Sequence, residues 1–150
     1  MDIFVRSLDR GDVDAAIELL IDGTLYPSAE DAGNPEAYWN AALETRQRDG
    51  DVLVADADGL VVGVIQVIVF PHFQHTGGWC AEIESVHVRD GWRSRGVGAE
   101  LLAAAEEIAR ARECYRIQLT SRTMRVEAHR FYLANGYELT SQGFKKYLDD

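Results

Sequence analysis

Apolar residues along this chain hold one period for a stretch and then switch, and the switches mark out strands and helices. Ile3 to Ser7 alternates as a short strand. Asp9 suits the N-cap of a helix running to about Asp22, because Val13, Ala16, Ile17 and Leu20 recur on one face. Gly23 to Asn34 is polar and turn-rich, hence a loop. Pro35 opens a second helix through Arg48, since proline suits the first helical turn. Asp51 to Ala57 and Leu60 to Phe70 read as strands joined at Asp56-Ala-Asp-Gly59, followed by a loop from Pro71 to Gly78.

The next strand, from about Trp79 to Val88, breaks its own alternation. Ile83 falls on one face of a regular strand, whereas Val86 and Val88 fall on the other. A β-bulge near Glu84–Ser85 reconciles them, and a strand buried on both faces also accommodates them. A helix over Val97–Glu113 then carries the stripe Val97, Leu101, Ala105, Ile108 and Ala109. Arg116 to Thr120 is a strand, and Val126 to Ala134 is a helix closed by the C-cap pair Asn135-Gly136. Tyr137–Thr140 and Phe144–Leu148 read as final strands. The order β-α-α-β-β-β-α-β-α-β-β predicts an α/β (α+β) fold. Its mixed, mostly antiparallel sheet has about seven strands, flanked by about four helices, in one domain over 1–150.

Composition narrows the function classes. A hydrophobic content of 47% with 27% charged residues is that of an ordinary globular domain. No apolar run reaches the ~20 residues of a membrane span, and no leader is visible, so a cytoplasmic protein is expected. Cys80 and Cys114 form no CxxC pair and read as reduced, buried thiols. A net charge of −10 argues against nucleic-acid partners. The charge is also uneven: residues 1–88 hold 4 basic and 16 acidic side chains, residues 89–150 hold 11 and 9. The acidic half either attracts a cation or simply coats a soluble surface.

The segment between Val88 and Val97 carries the clearest chemistry. Arg93-Ser-Arg-Gly96-Val-Gly98 is a basic, glycine-bearing turn feeding a helix, so backbone N–H groups and the positive end of a helix dipole converge on one spot. Such a place binds phosphate. Gly96-Val-Gly98 alone fits neither the dinucleotide fingerprint nor the P-loop. About thirty residues on comes Ala128-His-Arg-Phe-Tyr-Leu-Ala-Asn-Gly-Tyr137. Taken together, the two segments resemble the GNAT family of N-acetyltransferases. Its signatures, Arg/Gln-x-x-Gly-x-Gly/Ala and Ala-x-x-Phe-Tyr-x-x-x-Gly-Phe/Tyr, are met at Arg93, Gly96 and Gly98, and at Ala128, Phe131, Tyr132, Gly136 and Tyr137. The element order agrees along the whole chain.

The resemblance implies acetyl-CoA as cosubstrate, with no metal. Arg93, Ser94, Arg95, Gly96, Val97 and Gly98 would hold its pyrophosphate, with Phe131 of the later motif also on the cofactor side. Val86, His87 and Val88 would pair with pantetheine, and a backbone N–H near Val86 or His87 would face the thioester oxygen, an interaction worth ~3–4 kcal/mol in such sites. Tyr132 matches the tyrosine that protonates the departing thiolate. For the base, Glu84 matches the position used in small-amine acetyltransferases and Glu82 that of histone acetyltransferases; a water chain with neither is the third reading. Many relatives carry Asn where this chain has Arg125, which would reach a CoA phosphate or cap a surface instead.

The variable parts should build the acceptor pocket: Tyr26, Glu30, Tyr38, Trp39, His72 and His75. Aromatic rings with Glu30 and Glu84 suit a cationic amine. His72 and His75 without further spaced ligands make a weak metal site. The expected activity is direct acetyl transfer to a small primary amine. A protein or peptide N-acetyltransferase and a non-catalytic acyl-CoA-binding regulatory module are the alternatives, and a homodimer is left open.

Overall fold

The computed structural model describes residues 2–149. They divide into two compact units, one up to Gln118 and one from Leu119 onward. The chain runs β1 (Ile3–Ser7), α1 (Val13–Gly23), α2 (Pro35–Gln47), β2 (Asp51–Ala57), β3 (Leu60–Pro71), α3 (Gln74–Gly77), β4 (Trp79–Val88), α4 (Val97–Ala111), β5 (Arg116–Leu119) and α5 (Val126–Ala134). Five strands form one sheet in the order β1-β2-β3-β4-β5. The first four pair antiparallel. Tyr115 N–H donates to the Trp79 carbonyl and the Gln118 amide to Glu82, so β5 runs in the same direction as β4.

Most of the expected elements are present, within a residue or two of their ends. The start of the first helix differs: Arg10–Asp12 is a 3-10 turn, so α1 starts only at Val13. The β2–β3 hairpin turns on Asp58 (φ 51°) and Gly59 (φ 88°), two left-handed residues that match the twist of the strands. The short α3 lies where a loop was expected; His75 and Thr76 within it have positive φ, so it is a kinked turn.

The sheet buries both faces. Val13, Ala16 and Ile17 of α1 and Ala42 of α2 pack with Val54 and Val64. The opposite face is covered by α4, whose Leu101 and Val97 close over Gly63: a Cβ there would lie 2.9 Å from both side chains. Fully buried Ile17, Ile65, Leu101 and Leu102 each contribute roughly 1.5–3 kcal/mol through removal from water.

Near the start of α1, Arg6 forks onto Asp12, with nitrogen–oxygen distances of 2.7 and 3.0 Å, and its Nε donates to Asp56 at 3.0 Å. Hydrogen bonding to Arg6 holds the Asp12 carboxyl below its ordinary 3.8. A carboxylate depressed by folding stabilises the folded state above its unfolded pKa, and that stabilisation is lost as pH falls through the folded value. Asp12→Asn should therefore cost about 1.5–3 kcal/mol at pH 7. The difference from the native chain should shrink steadily below about pH 4, measured by urea denaturation at both pH values.

In the second unit, α5 ends as expected at Asn135-Gly136. Gly136 has φ 89°, and Tyr137 N–H donates to the Tyr132 carbonyl at 3.1 Å. The strands expected at Tyr137–Thr140 and Phe144–Leu148 do not form among the described residues, so the sheet has five strands and there are five helices, rather than seven and four. Alternation alone does not make a strand; a ladder partner and a buried face are needed. Here Phe144 is 92% exposed and Leu148 87%.

Candidate active site

The break in alternation along β4 is a bulge. Val64 pairs with His87 and Gln66 with Glu84, so Ser85 and Val86 together oppose the single residue Ile65. Ser85 takes φ 55°, a left-handed conformation unfavourable for a residue with a Cβ. This restores phase, bringing His87 to the face of Val64 and α1, where its ring lies against Gly23. A Cβ at Gly23 would meet the His87 Nδ1 at 2.1 Å.

After Val88 the chain enters the basic turn. Gly91 (φ 83°), Ser94 (φ 59°) and Gly96 (φ 85°) are left-handed, with right-handed or extended residues between them. Such alternation is the backbone pattern of an anion-binding nest, with the Gly91 N–H engaged by Asp90 and the Trp92 N–H by the Arg89 carbonyl. Gly96 is the N-cap of the fifteen-residue α4, and the space beyond it is open: a Cβ there would meet nothing within 4 Å. The Arg95 guanidinium lies 4.1 Å from the Trp92 ring centroid, and Arg93 is 3.8 Å from Asp90, both at the surface. The turn, the helix end and two arginines fit a pyrophosphate.

Both strand carboxylates belong to the first unit. Glu82 accepts a hydrogen bond from Gln118 Nε2 at 2.9 Å. Glu84 is exposed, in register with Gln66 and beside Ser85. A cavity of about 220 Å³ lies between α1, α2 and the sheet, and Glu30, Tyr38, Gln66 and Ser85 all line it. The Tyr38 hydroxyl accepts from Asp31 N–H at 2.8 Å and donates to Glu30 at 3.4 Å.

The other expected acceptor residues lie elsewhere. His72 Nδ1 bonds the Tyr115 hydroxyl, and the His75 ring stacks 4.2 Å from the Tyr115 ring, so both belong to an aromatic cluster at the β3–β4 turn. Trp39 packs against the core beneath Arg46, and Tyr26 is exposed at the start of the turn Pro27–Ala29. Burial pushes the Cys114 thiol up, with neighbouring Cys80 adding to the effect, which makes it a poor nucleophile. Among the described residues no group of three or more metal-ligating side chains occurs.

In the second unit, Tyr132 packs against Phe131 (5.3 Å between centroids) and Tyr137 (6.1 Å). Arg125 is the exposed N-cap residue of α5. Gln118, Gln66 and Ser85 are site residues that pattern reading missed. The available signal was a polar residue at an internal strand position, as with Gln118 between Ile117 and Leu119.

The family model described as the acetyltransferase (GNAT) family matches residues 15–137. The chain belongs to this family. It is 37% identical over 91 residues to aminoalkylphosphonate N-acetyltransferase of Salmonella typhimurium, a match covering 61% of this chain and 58% of that protein. The chain thus spans little more than half of that relative. With glucosamine 6-phosphate N-acetyltransferase of Trypanosoma brucei brucei it shares 28% identity, over 81% of each. A crystal structure described as a transcriptional regulator from Bacillus halodurans C-125 superposes with a TM-score of 0.90 at 30% identity, covering 98% of this chain and all of that one. Among the described residues no helix is long and apolar enough to cross a membrane.

Proposed function

We propose that this chain, acting as one acetyltransferase domain, transfers the acetyl group of acetyl-CoA directly to the primary amine of a small cationic molecule. The observation that carries this reading is the β4 bulge. A left-handed Ser85 is costly, and here it adjoins Glu84 and the cavity on one side and the segment leading to the phosphate turn on the other. Strain of this kind persists where a site requires it.

Acetyl-CoA supplies an activated thioester. Residues Arg93 to Gly98 hold its pyrophosphate through backbone N–H groups and the α4 dipole. Pantetheine is assigned to Val86–Val88, where β4 continues past its bulge. A backbone N–H near Val86 or His87 then donates to the thioester oxygen as charge develops there. An alkylammonium must first lose a proton. Glu84, or a water it holds, takes that proton; Glu82 is about 7 Å further from the bulge along the strand and is engaged by Gln118. The nitrogen attacks the carbonyl carbon, the C–S bond breaks, and Tyr132 donates its phenolic proton to the departing thiolate. Arg125 adds a cation toward a CoA phosphate.

The relatives named for aminoalkylphosphonate and glucosamine 6-phosphate support a small-molecule acceptor over a peptide. The neighbour described as a transcriptional regulator favours a second reading, acyl-CoA binding without turnover. Thiol release from acetyl-CoA across a panel of small amines and peptide N-termini decides between them. Amine-dependent release is expected, with Glu84→Gln lowering kcat by about 10²-fold or more and Glu82→Gln doing less. CoA binding without release for any acceptor would leave the second reading.

A further inference from the structure

The cavity beside the bulge limits what the rest of the acceptor is made of. At about 220 Å³ it exceeds the ~150 Å³ hydrocarbon-lined cavity that takes up benzene. Its walls are the apolar side chains Val13, Ile17 and Leu20 of α1, Ala42 of α2 and Val64 of the sheet. Its polar groups are few and mostly engaged: the Gln66 amide donates to Thr45 Oγ1 at 3.0 Å, and the Tyr38 hydroxyl is bonded to Asp31 N–H. Among the described residues no Lys, Arg or His lines it, and Glu30 supplies a negative charge. An adjoining recess that shares Glu30, Tyr38 and Ala41 adds Asp31 and again no cation. A phosphonate or phosphate seated here would lose its hydration with no charge-assisted partner, and would face Glu30.

We infer that the acceptor carries its amine on an uncharged, mainly hydrocarbon body of roughly six to nine heavy atoms, seated between α1 and α2 with the nitrogen at the Ser85 end. The lining disfavours phosphonate- and phosphate-bearing amines such as those the two curated relatives are named for. The inference rests on the transferase reading for where the nitrogen sits, but not for the chemistry of the cavity.

The test uses the full chain and two readouts. In thiol release with acetyl-CoA, phenethylamine is compared with 2-aminoethylphosphonate, glucosamine 6-phosphate and 1,6-diaminohexane. Its kcat/KM should exceed each of theirs by at least about tenfold. Ala42→Leu, or Ala16→Leu if the first does not fold, should erase most of that advantage. In a thermal shift without acetyl-CoA, phenethylamine should raise Tm and 2-aminoethylphosphonate should not. Any charged-bodied amine that matches or surpasses phenethylamine overturns the inference while the transferase reading stands. If no amine releases thiol, the transferase reading fails and the thermal shift decides alone: a shift with phenethylamine only upholds the cavity assignment, and any other pattern overturns it.

Discussion

Replacing Tyr132 by phenylalanine should lower kcat by about 10²–10⁴-fold, the range over which a positioned general acid acts, while leaving the affinity for CoA within about twofold. The substitution removes one oxygen. The ring contacts with Phe131 and Tyr137 do not require the hydroxyl, and the Tyr132 carbonyl still accepts Tyr137 N–H and Asn135 N–H. A structural role would instead appear as a lower Tm with kcat largely intact. The pH–rate profile separates the two: with Tyr132 as the proposed acid, a basic limb is expected in the native chain and should disappear in the variant. Retention of that limb with near-normal kcat would remove Tyr132 from the chemistry.

Gly63→Val should lower Tm by about 2–12 °C and weaken CoA binding together. The two effects share one cause. Gly63 is the place where α4 rests on β3, and a Cβ there would sit 2.9 Å from both Leu101 Cδ1 and Val97 Cγ1. Neither neighbour can swing into solvent, since both are buried to within 1%. The helix must move instead, which costs about 1–3 kcal/mol, worth roughly 2–4 °C per kcal/mol in a chain of this size. Moving α4 carries its N-terminus, and so the phosphate turn, away from its seat. Calorimetry of CoA binding should show the loss, and Gly11→Ala, where a Cβ meets nothing within 4 Å, should be neutral in both measurements. A Gly63→Val protein with full stability and unchanged CoA affinity would show that this close approach does not set the turn.

Whatever depends on neighbours a few residues apart could be read along the chain. The stripes of α1 and α4 are periodic because each turn of a helix faces the same core. The Asp58-Gly59 hairpin follows from which residues tolerate positive φ. The bulge was legible because a one-residue slip flips every later side chain, so Val86 and Val88 recorded it in their phase. The C-terminal strands misled for the same reason in reverse: alternation over Tyr137–Thr140 states a preference, and no ladder answers it among the described residues. His72 and His75 gave no hint of Tyr115, which lies some forty residues away in the chain.

The sequence by itself determined the order and kind of the first nine elements beyond the kinked turn and membership of an acetyltransferase family. Only the tertiary structure decided that Gln118 holds Glu82, that Ser85 pays the left-handed penalty of the bulge, and that residues from Leu8 to Ser85 line a cavity with no cation among the described residues. The division has a physical basis. Helix periodicity, turn conformation and phosphate-binding loops are settled by interactions within about one turn or one hairpin. The shape and charge of a cavity depend on how α1 and α2 dock against the sheet, an outcome of side-chain packing across dozens of residues that no local pattern records.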